Sequence, residues 1–249
     1  MENELNALKT AVPGDMKAAL LQAAMQGKLT TQRKEDGDAR DLLKQIAKEK
    51  EQLIKEKKIK KEKPLPEITE DEIPFDVPEN WVWVRLQEIS TITGGYAFKS
   101  SNYSNDGIRV LRISDFNEKG ILNKDIVRHQ YIDDIAPFKL ENKNIVMCMT
   151  GGTVGKNCYV DSLSEDTFTN QRVCTIKSNG LIDSRFVYFA INNVHVKKIV
   201  QESKNSTNDN ISMNTIQSFM IPLPPLAEQH RIVAKLEKLL PLCDGLVEE

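Results

Sequence analysis

The sequence has no apolar run near the roughly 20 residues that a membrane-spanning helix needs, so a helical membrane protein is excluded. Its N-terminus lacks the basic, apolar and small-residue order of a secretory signal, which predicts a cytoplasmic chain with no membrane partner. Cysteine is scarce. Cys148, Cys158, Cys174 and Cys243 are scattered without a CxxC pair, so the expectation is buried thiols rather than a disulfide framework. His129, His195 and His230 are remote in sequence from these cysteines and from each other, which removes zinc-ligand spacing. None of the three has a recognisable nucleophile or base partner. There is no internal repeat.

Catalytic signatures are also missing. Thr150-Gly151-Gly152-Thr153-Val154-Gly155-Lys156 looks like a phosphate loop, but it is one residue short of GxxxxGK[ST]. Asn157 stands where a Ser or Thr would hold magnesium. Leu223-Pro224-Pro225-Leu226 echoes the adenine-methyltransferase signature but lacks the polar first residue and the aromatic last one. Those groups would bond the amino group and stack the flipped base. Glu141-Asn142-Lys143 matches a bare nuclease E-x-K, for which Asp125, Asp133 and Asp134 are only generic metal partners. In a chain of 249 residues these gaps favour a binding module.

The net charge of −2 argues against a uniformly basic nucleic-acid binder. Its distribution is uneven, however. Residues 64–80 hold six acidic residues and no basic one, so the acidity sits in one segment and leaves room for a basic face elsewhere.

Organisation follows from periodicity and punctuation. Residues 1–63 read as helical. A first run opens at Pro13-Gly14-Asp15 and carries Met16, Ala19, Leu20 and Ala23, with Gly27 as its cap. Asp38 caps a second helix whose narrow stripe is Leu42, Leu43, Ile46, Leu53 and Ile54. A stripe that narrow, flanked by Lys and Glu, suits helix–helix pairing. Over residues 39–60, at about 1.5 Å per residue, this helix would span roughly 33 Å. Pro64, Pro66, Pro74 and Pro78 make residues 64–80 an extended acidic linker.

Residues 81–221 then change to short β-like runs at 81–86, 108–113, 145–149, 158–160 and 173–176, with a helix over 185–200. Residues 222–249 form a C-terminal helix, started by Pro224 or Pro225 and striped by Leu226, Ile232, Val233, Leu236, Leu239 and Leu240. The fold class is α+β: one mixed α/β domain flanked by long amphipathic helices that pair in coiled-coil fashion. The residues expected to face a partner or a second copy are Leu42, Ile46, Leu53, Leu226, Ile232, Leu236 and Leu239.

Several polar turns of the central domain suit nucleic acid. Lys99, Ser100, Ser101 and Tyr103 mix a cation, hydroxyls and an aromatic. Arg112 and Ser114 end a strand. Thr150, Gly151, Gly152, Thr153 and Lys156 form a glycine turn able to offer N–H groups and an ammonium to a phosphate. Asn170, Gln171 and Arg172 are the side-chain types that read adenine and guanine edges. Lys204, Asn208 and Asn210 lie in a polar loop. Any one of these stretches alone is more often an ordinary solvated loop; several on one domain with no catalytic alternative shift the balance toward DNA recognition.

With these residues in view, the chain resembles the specificity subunit of type I restriction–modification systems. The carrying segments are LLQAAMQGKL (20–29), the stretch 48–89 ending ENWVWVRLQEI, GGYAFKSSNY (94–103), GIRVLRISD (107–115), GGTVGK (151–156), NQRV (170–173) and ISMNTIQSFMIPLPPLAEQHRIVAKLEKLLPLCD (211–244). The resemblance implies that 81–221 is a target-recognition domain for one half of a bipartite site on double-stranded DNA. It implies that the flanking helices bind modification subunits. S-adenosylmethionine, ATP and magnesium would serve those subunits and a motor/restriction subunit, leaving no cofactor or metal here. A usual subunit has two recognition domains and about twice this length. The expectation is therefore either a natural half-subunit or a shortened form; a half-subunit would pair as a two-fold homodimer on a palindromic bipartite site. A helix of roughly 33 Å matches about one duplex turn between half-sites. The alternatives are a stand-alone metal-dependent nuclease and a decoy that occupies modification subunits without reading DNA.

Overall fold

The structure is a computed structural model that describes residues 2–204 and 209–245. The chain divides into two compact units. One comprises the residues up to Glu88, Gly180–Lys197, and those from Met220 onward; the other comprises Ile89–Asn179 and Lys198–Phe219.

The first unit is mainly helical. α1 (Glu2–Met25) runs unbroken through Pro13 and Gly14, rather than opening there. α2 (Ala39–Lys55) starts where expected, with the Asp38 carboxylate accepting from Arg40 N. It ends five residues before the expected position 60. Lys57 adopts φ +57°, and Lys57 N and Lys58 N donate to Ile54 O and Leu53 O, closing the helix with a left-handed cap that uses lysine instead of glycine. Seventeen residues span about 26 Å, so the roughly 33 Å length is corrected.

β1 (Val82–Arg85) and the four-residue α3 (Leu86–Ile89) follow. β1 pairs antiparallel with the late strand Met220–Leu223. That pairing is the physical reason why 81–221 is not one compact unit: both of its ends fold into the helical unit. Residues 64–80 are largely irregular, but they are packed rather than free. Arg85 donates to both carboxylate oxygens of Glu72 at 2.8 and 2.9 Å. The Phe75 ring meets Trp83 edge-on at 5.0 Å.

The second unit is built on strands. A four-stranded antiparallel sheet has β2 (Ser90–Gly94) at one edge, and a three-stranded sheet centres on β3 (Ile108–Leu111). β4 (Phe116–Asn117) and β5 (Gly120–Ile121) make a short hairpin, and β6 (Val127–His129) pairs antiparallel with β3. β7 (Ile145–Cys148), β8 (Asn157–Tyr159), β9 (Thr167–Thr169) and β10 (Val173–Ser178) complete the sheets. Their orders are β2-β10-β7-β8 and β6-β3-β9. One core gathers Leu111, Phe116, Leu140, Val146, Cys148, Cys158, Val160 and Val173; a second gathers Phe98, Val110, Ile135 and Phe168. As expected, the four cysteines are buried free thiols, and burial pushes Cys158 and Cys174 up to about 12.

The helix expected over 185–200 is two helices, α4 (Ser184–Ile191) and α5 (Val194–Lys204). Buried Asn193 makes the break. Its Nδ2 donates to Ala190 O at 2.7 Å, and its Oδ1 accepts from Val196 N at 2.9 Å, ending one helix and starting the next. α6 (Met213–Gln217), β11 (Met220–Leu223) and α7 (Leu226–Gly245) close the described chain.

In the helical unit α1 packs on α7, and α4 packs on both. Ile232 and Leu236 are wholly buried in this packing, and Ile46 is wholly buried too. Ile232 and Leu236 are therefore occupied within the unit, because α7 needs one apolar face for its own neighbours, and Ile46 on α2 is likewise withdrawn from the surface. Leu42, Leu53, Leu226 and Leu239 are half-buried.

Candidate nucleic-acid interface

Most of the polar turns singled out from the sequence converge at one end of the four-stranded sheet. The glycine turn joins β7 to β8. No helix follows it, which removes the phosphate-loop arrangement of strand, loop and helix. Gly155 N donates to Cys148 O, Val154 N to Gly151 O and Lys156 N to Thr153 O, and Cys148 N returns to Lys156 O. Gly151 N donates to Asp209 O at 2.8 Å. Among the described residues, the N–H groups of Gly152 and Thr153 are left without an acceptor at the exposed tip.

Residues 170–172 sit beside this turn because three neighbouring segments hold their backbone. Asn170 N donates to Leu111 O at 3.0 Å, Gln171 N to Tyr96 O at 2.8 Å, and Met149 N to Arg172 O at 2.9 Å. Asn170 Oδ1 accepts from Arg172 N, which tightens the turn. Gly95 permits the close approach: a Cβ there would overlap the backbone carbonyl of Asn170. With the backbone so tied, the Gln171 and Arg172 side chains stay exposed and form no polar contact among the described residues. Asn210 is exposed and pairs by backbone with Thr150, and Ile211 N donates to Met149 O.

Other expected residues have different surroundings. Arg112 donates through Nε and a terminal nitrogen to Asp115 at 3.0 and 2.9 Å, and again to Asp125 O at 2.8 Å. The Asp115 hydrogen bonds raise the Arg112 pKa further. Ser114 Oγ donates to the same carboxylate at 2.8 Å. Arg112 and Ser114 thus brace residues 112–125 around buried Asp115, and they offer less to a base than the sequence suggested. Lys156 Nζ bonds Ile113 O and lies 4.9 Å over the Phe116 ring, so it is an internal tie as well as a charge.

Lys99, Ser100 and Ser101 are exposed around a 3-10 turn anchored by buried Phe98, whereas Tyr103 packs against that residue's core. Lys204 is half-buried at the end of α5, and Asn208 lies outside the described residues. The sequence reading missed Tyr96 and Ile211 as site residues; their backbones, with that of Asp209 in the expected polar loop, tie the turns together. Backbone contacts leave no residue-type signal that could have found them.

The nuclease motif has no metal arrangement around it. Glu141 pairs with Lys177 at 2.5 Å, and no cluster of three or more His, Cys, Asp or Glu able to hold a metal occurs among the described residues.

Fold and site define a mixed helix–strand module that presents polar loops from the end of a sheet. Comparison with known proteins gives the family. The family model described as the type I restriction modification DNA specificity domain matches residues 78–248, and the chain belongs to that family. It is 33% identical over 238 residues to the specificity subunit of the Escherichia coli type I restriction enzyme EcoAI, covering 93% of this chain and 40% of that one. The EcoEI specificity subunit of the same species is 28% identical, with 93% and 41% covered.

Among solved structures, a chain from a study of complex assembly and conformational transition in the type I R-M system superposes with a TM-score of 0.58 at 21% identity. It covers 84% of this chain and 48% of that one. The HsdS subunit from Thermoanaerobacter tengcongensis gives 0.53 at 18% identity, with 94% and 52% covered. These two likenesses show the fold. The chain spans about two-fifths of the length of the curated relatives it matches.

Proposed function

We propose that this chain is the DNA-reading component of a type I restriction–modification complex, that it reads one half of a bipartite site, and that it catalyses nothing itself. The observation that carries this reading is the gathering of residues 150–156, 170–172 and 209–210 at one sheet end, with Gln171 and Arg172 exposed on a firmly tied turn. Arginine pairs with guanine N7 and O6, and glutamine with adenine N6 and N7, in a major groove. The N–H groups of Gly152 and Thr153, which have no acceptor among the described residues, suit the adjoining phosphates together with Lys99.

Docking of modification subunits is assigned to the helical unit. A cavity of about 740 Å³ there, lined by Leu43, Ala47, Leu65, Ile68 and Trp83, offers apolar surface for it. S-adenosylmethionine, ATP and magnesium belong to the partner subunits in this reading. Two copies pairing through their helices would read a palindromic site, because protein symmetry is mirrored in the DNA.

The test is selection from random duplexes by the chain together with its modification subunits. A gapped motif should be enriched at low salt, and no enrichment would refute the reading. Tight association with modification subunits but no base preference would indicate the decoy. Solution mass with and without those subunits decides the dimer.

A further inference from the structure

Arg109 is a buried cation without a buried anion. It lies on β3 with only 3% of its surface exposed. Its two terminal nitrogens donate to Asn123 Oδ1 at 2.8 Å and Leu122 O at 2.5 Å, both neutral acceptors. Its Nε is buried with no acceptor at all. Among the described residues no carboxylate reaches ion-pair distance of it, and the nearby acids have other partners: Glu165 pairs with Arg128, and Asp166 with Lys139 at 2.7 Å. Across the antiparallel β3–β6 ladder its direct neighbour is another cation, Arg128. A guanidinium taken out of water needs a compensating anion, and this one has none among the described residues.

Beside it opens a polar cavity of about 280 Å³, bounded by the β4–β5 hairpin and the segment after β8. With each water taking about 30 Å³, it has room for a small tetrahedral oxyanion and several waters. Lys119 lines it from the hairpin, exposed and with its ammonium unpaired among the described residues. Ser162 and Ser164 add hydroxyls, and Asn123 an amide. Asp161 also lines the cavity but makes no ion pair with Arg109. The cavity adjoins Tyr159, at the other end of β8 from the glycine turn. Three strand residues separate the two places by about 10 Å, so this is not the cluster of base-reading turns.

We propose that the Arg109 cavity is a binding site for a phosphate oxyanion, held by Arg109 from within and Lys119 from the rim. The phosphate has two possible sources, a free phosphate and a diester of the DNA backbone. The first arm needs no DNA, and so stands or falls apart from the reading of this chain as a DNA-binding subunit. The melting temperature of the whole chain is followed against inorganic phosphate, with sodium chloride at matched ionic strength as the reference. The second arm measures duplex affinity against salt concentration.

A free-phosphate site gives the wild-type chain a rise in melting temperature specific to phosphate. Lys119→Ala should reduce that rise at least several-fold, and Arg109→Lys should remove it. A DNA-phosphate site gives a salt slope reduced by about one in Lys119→Ala with base preference unchanged. Arg109 is buried and its variant can fail to fold. Lys119 is exposed, so Lys119→Ala alone decides. If that variant changes neither the phosphate response nor the salt slope, the proposal is overturned.

Discussion

Trp81 and Glu228, 147 residues apart, are joined by a hydrogen bond from the indole Nε1 to Oε2 at 2.8 Å. Both residues are buried in the helical unit. The other carboxylate oxygen accepts from Thr30 Oγ1 at 2.8 Å and Gln32 Nε2 at 2.6 Å. One side chain on α7 thereby fixes the start of β1 and the loop after α1. A buried acid on an otherwise apolar helix face is tolerated because three donors solvate it.

Removing this acceptor should therefore cost more than removing any one donor. Trp81→Phe is expected to destabilise the chain by about 1–3 kcal/mol, since one charged acceptor loses one of its three partners. Glu228→Gln should cost at least as much, because its amide must turn a donor toward either Trp81 or the Thr30/Gln32 pair. Urea unfolding followed by tryptophan fluorescence reads both values. A double variant with no coupling between the two sites would contradict the arrangement.

Asp36 and Arg231 supply a pH-dependent tie in the same unit. Arg231 donates to both Asp36 oxygens, at 2.8 and 2.5 Å. That hydrogen bonding, against the opposing effect of burial, holds the Asp36 carboxyl below its ordinary value of 3.8. A carboxylate whose folded pKa is depressed adds stability above its unfolded value and loses it as pH falls through the lower, folded value. Asp36→Asn should cost about 1.5–3 kcal/mol at neutral pH, as for hydrogen bonds to charged groups. In denaturant titrations the gap between variant and wild type should shrink steadily once pH drops below 3.8.

At the proposed DNA face, Arg172→Ala should lower discrimination at one base position by about 1–3 kcal/mol while leaving stability unchanged. Lys156→Ala should behave differently. Its ammonium bonds Ile113 O and covers Phe116, so the variant should lose thermal stability as well as DNA affinity. Melting curves beside binding selections separate the two. An Arg172→Ala protein with unaltered preference would remove this residue from base reading.

Gly155 and Gly152 share a turn but should respond in opposite ways. Gly155 has φ +81°, and a Cβ there would overlap Val200 Cγ1, so Gly155→Ala should cost at least about 1–2 kcal/mol from backbone strain alone. A Cβ on Gly152 meets nothing within 4 Å, and Gly152→Ala should leave the melting temperature unchanged. Adding Val200→Ala should relieve part of the Gly155→Ala defect, leaving the φ penalty.

The buried thiols give a further check. With Cys158 and Cys174 pushed up to about 12, only about one thiol in ten thousand is ionised at pH 8. A thiol-disulfide reagent should label these two cysteines at the rate of global unfolding. Fast labelling of Cys174 in native buffer would contradict its burial.

Local pattern made some of this legible beforehand. The Asp38 cap, the strands at 108, 145 and 173, and the start of α7 after Pro225 follow from capping chemistry, β-branched runs and proline. The two-residue strands β4 and β5 were not legible, because two residues carry no periodicity. The end of α2 at a left-handed lysine was also missed, since lysine is not the residue expected there.

The sequence by itself determined the helix–strand–helix order, the burial of the cysteines and the chemical types in the polar turns. The family too was readable from ordered segments such as those at 151–156 and 211–244. Tertiary structure alone decided which of those groups are available. Arg112 and Arg172 look equivalent in sequence, yet Asp115 occupies the first and nothing among the described residues occupies the second. Arg109 sits inside an ordinary strand run, and only the packing around it leaves its charge uncompensated. The reason is that availability of a side chain depends on partners distant in sequence, which composition and spacing do not encode.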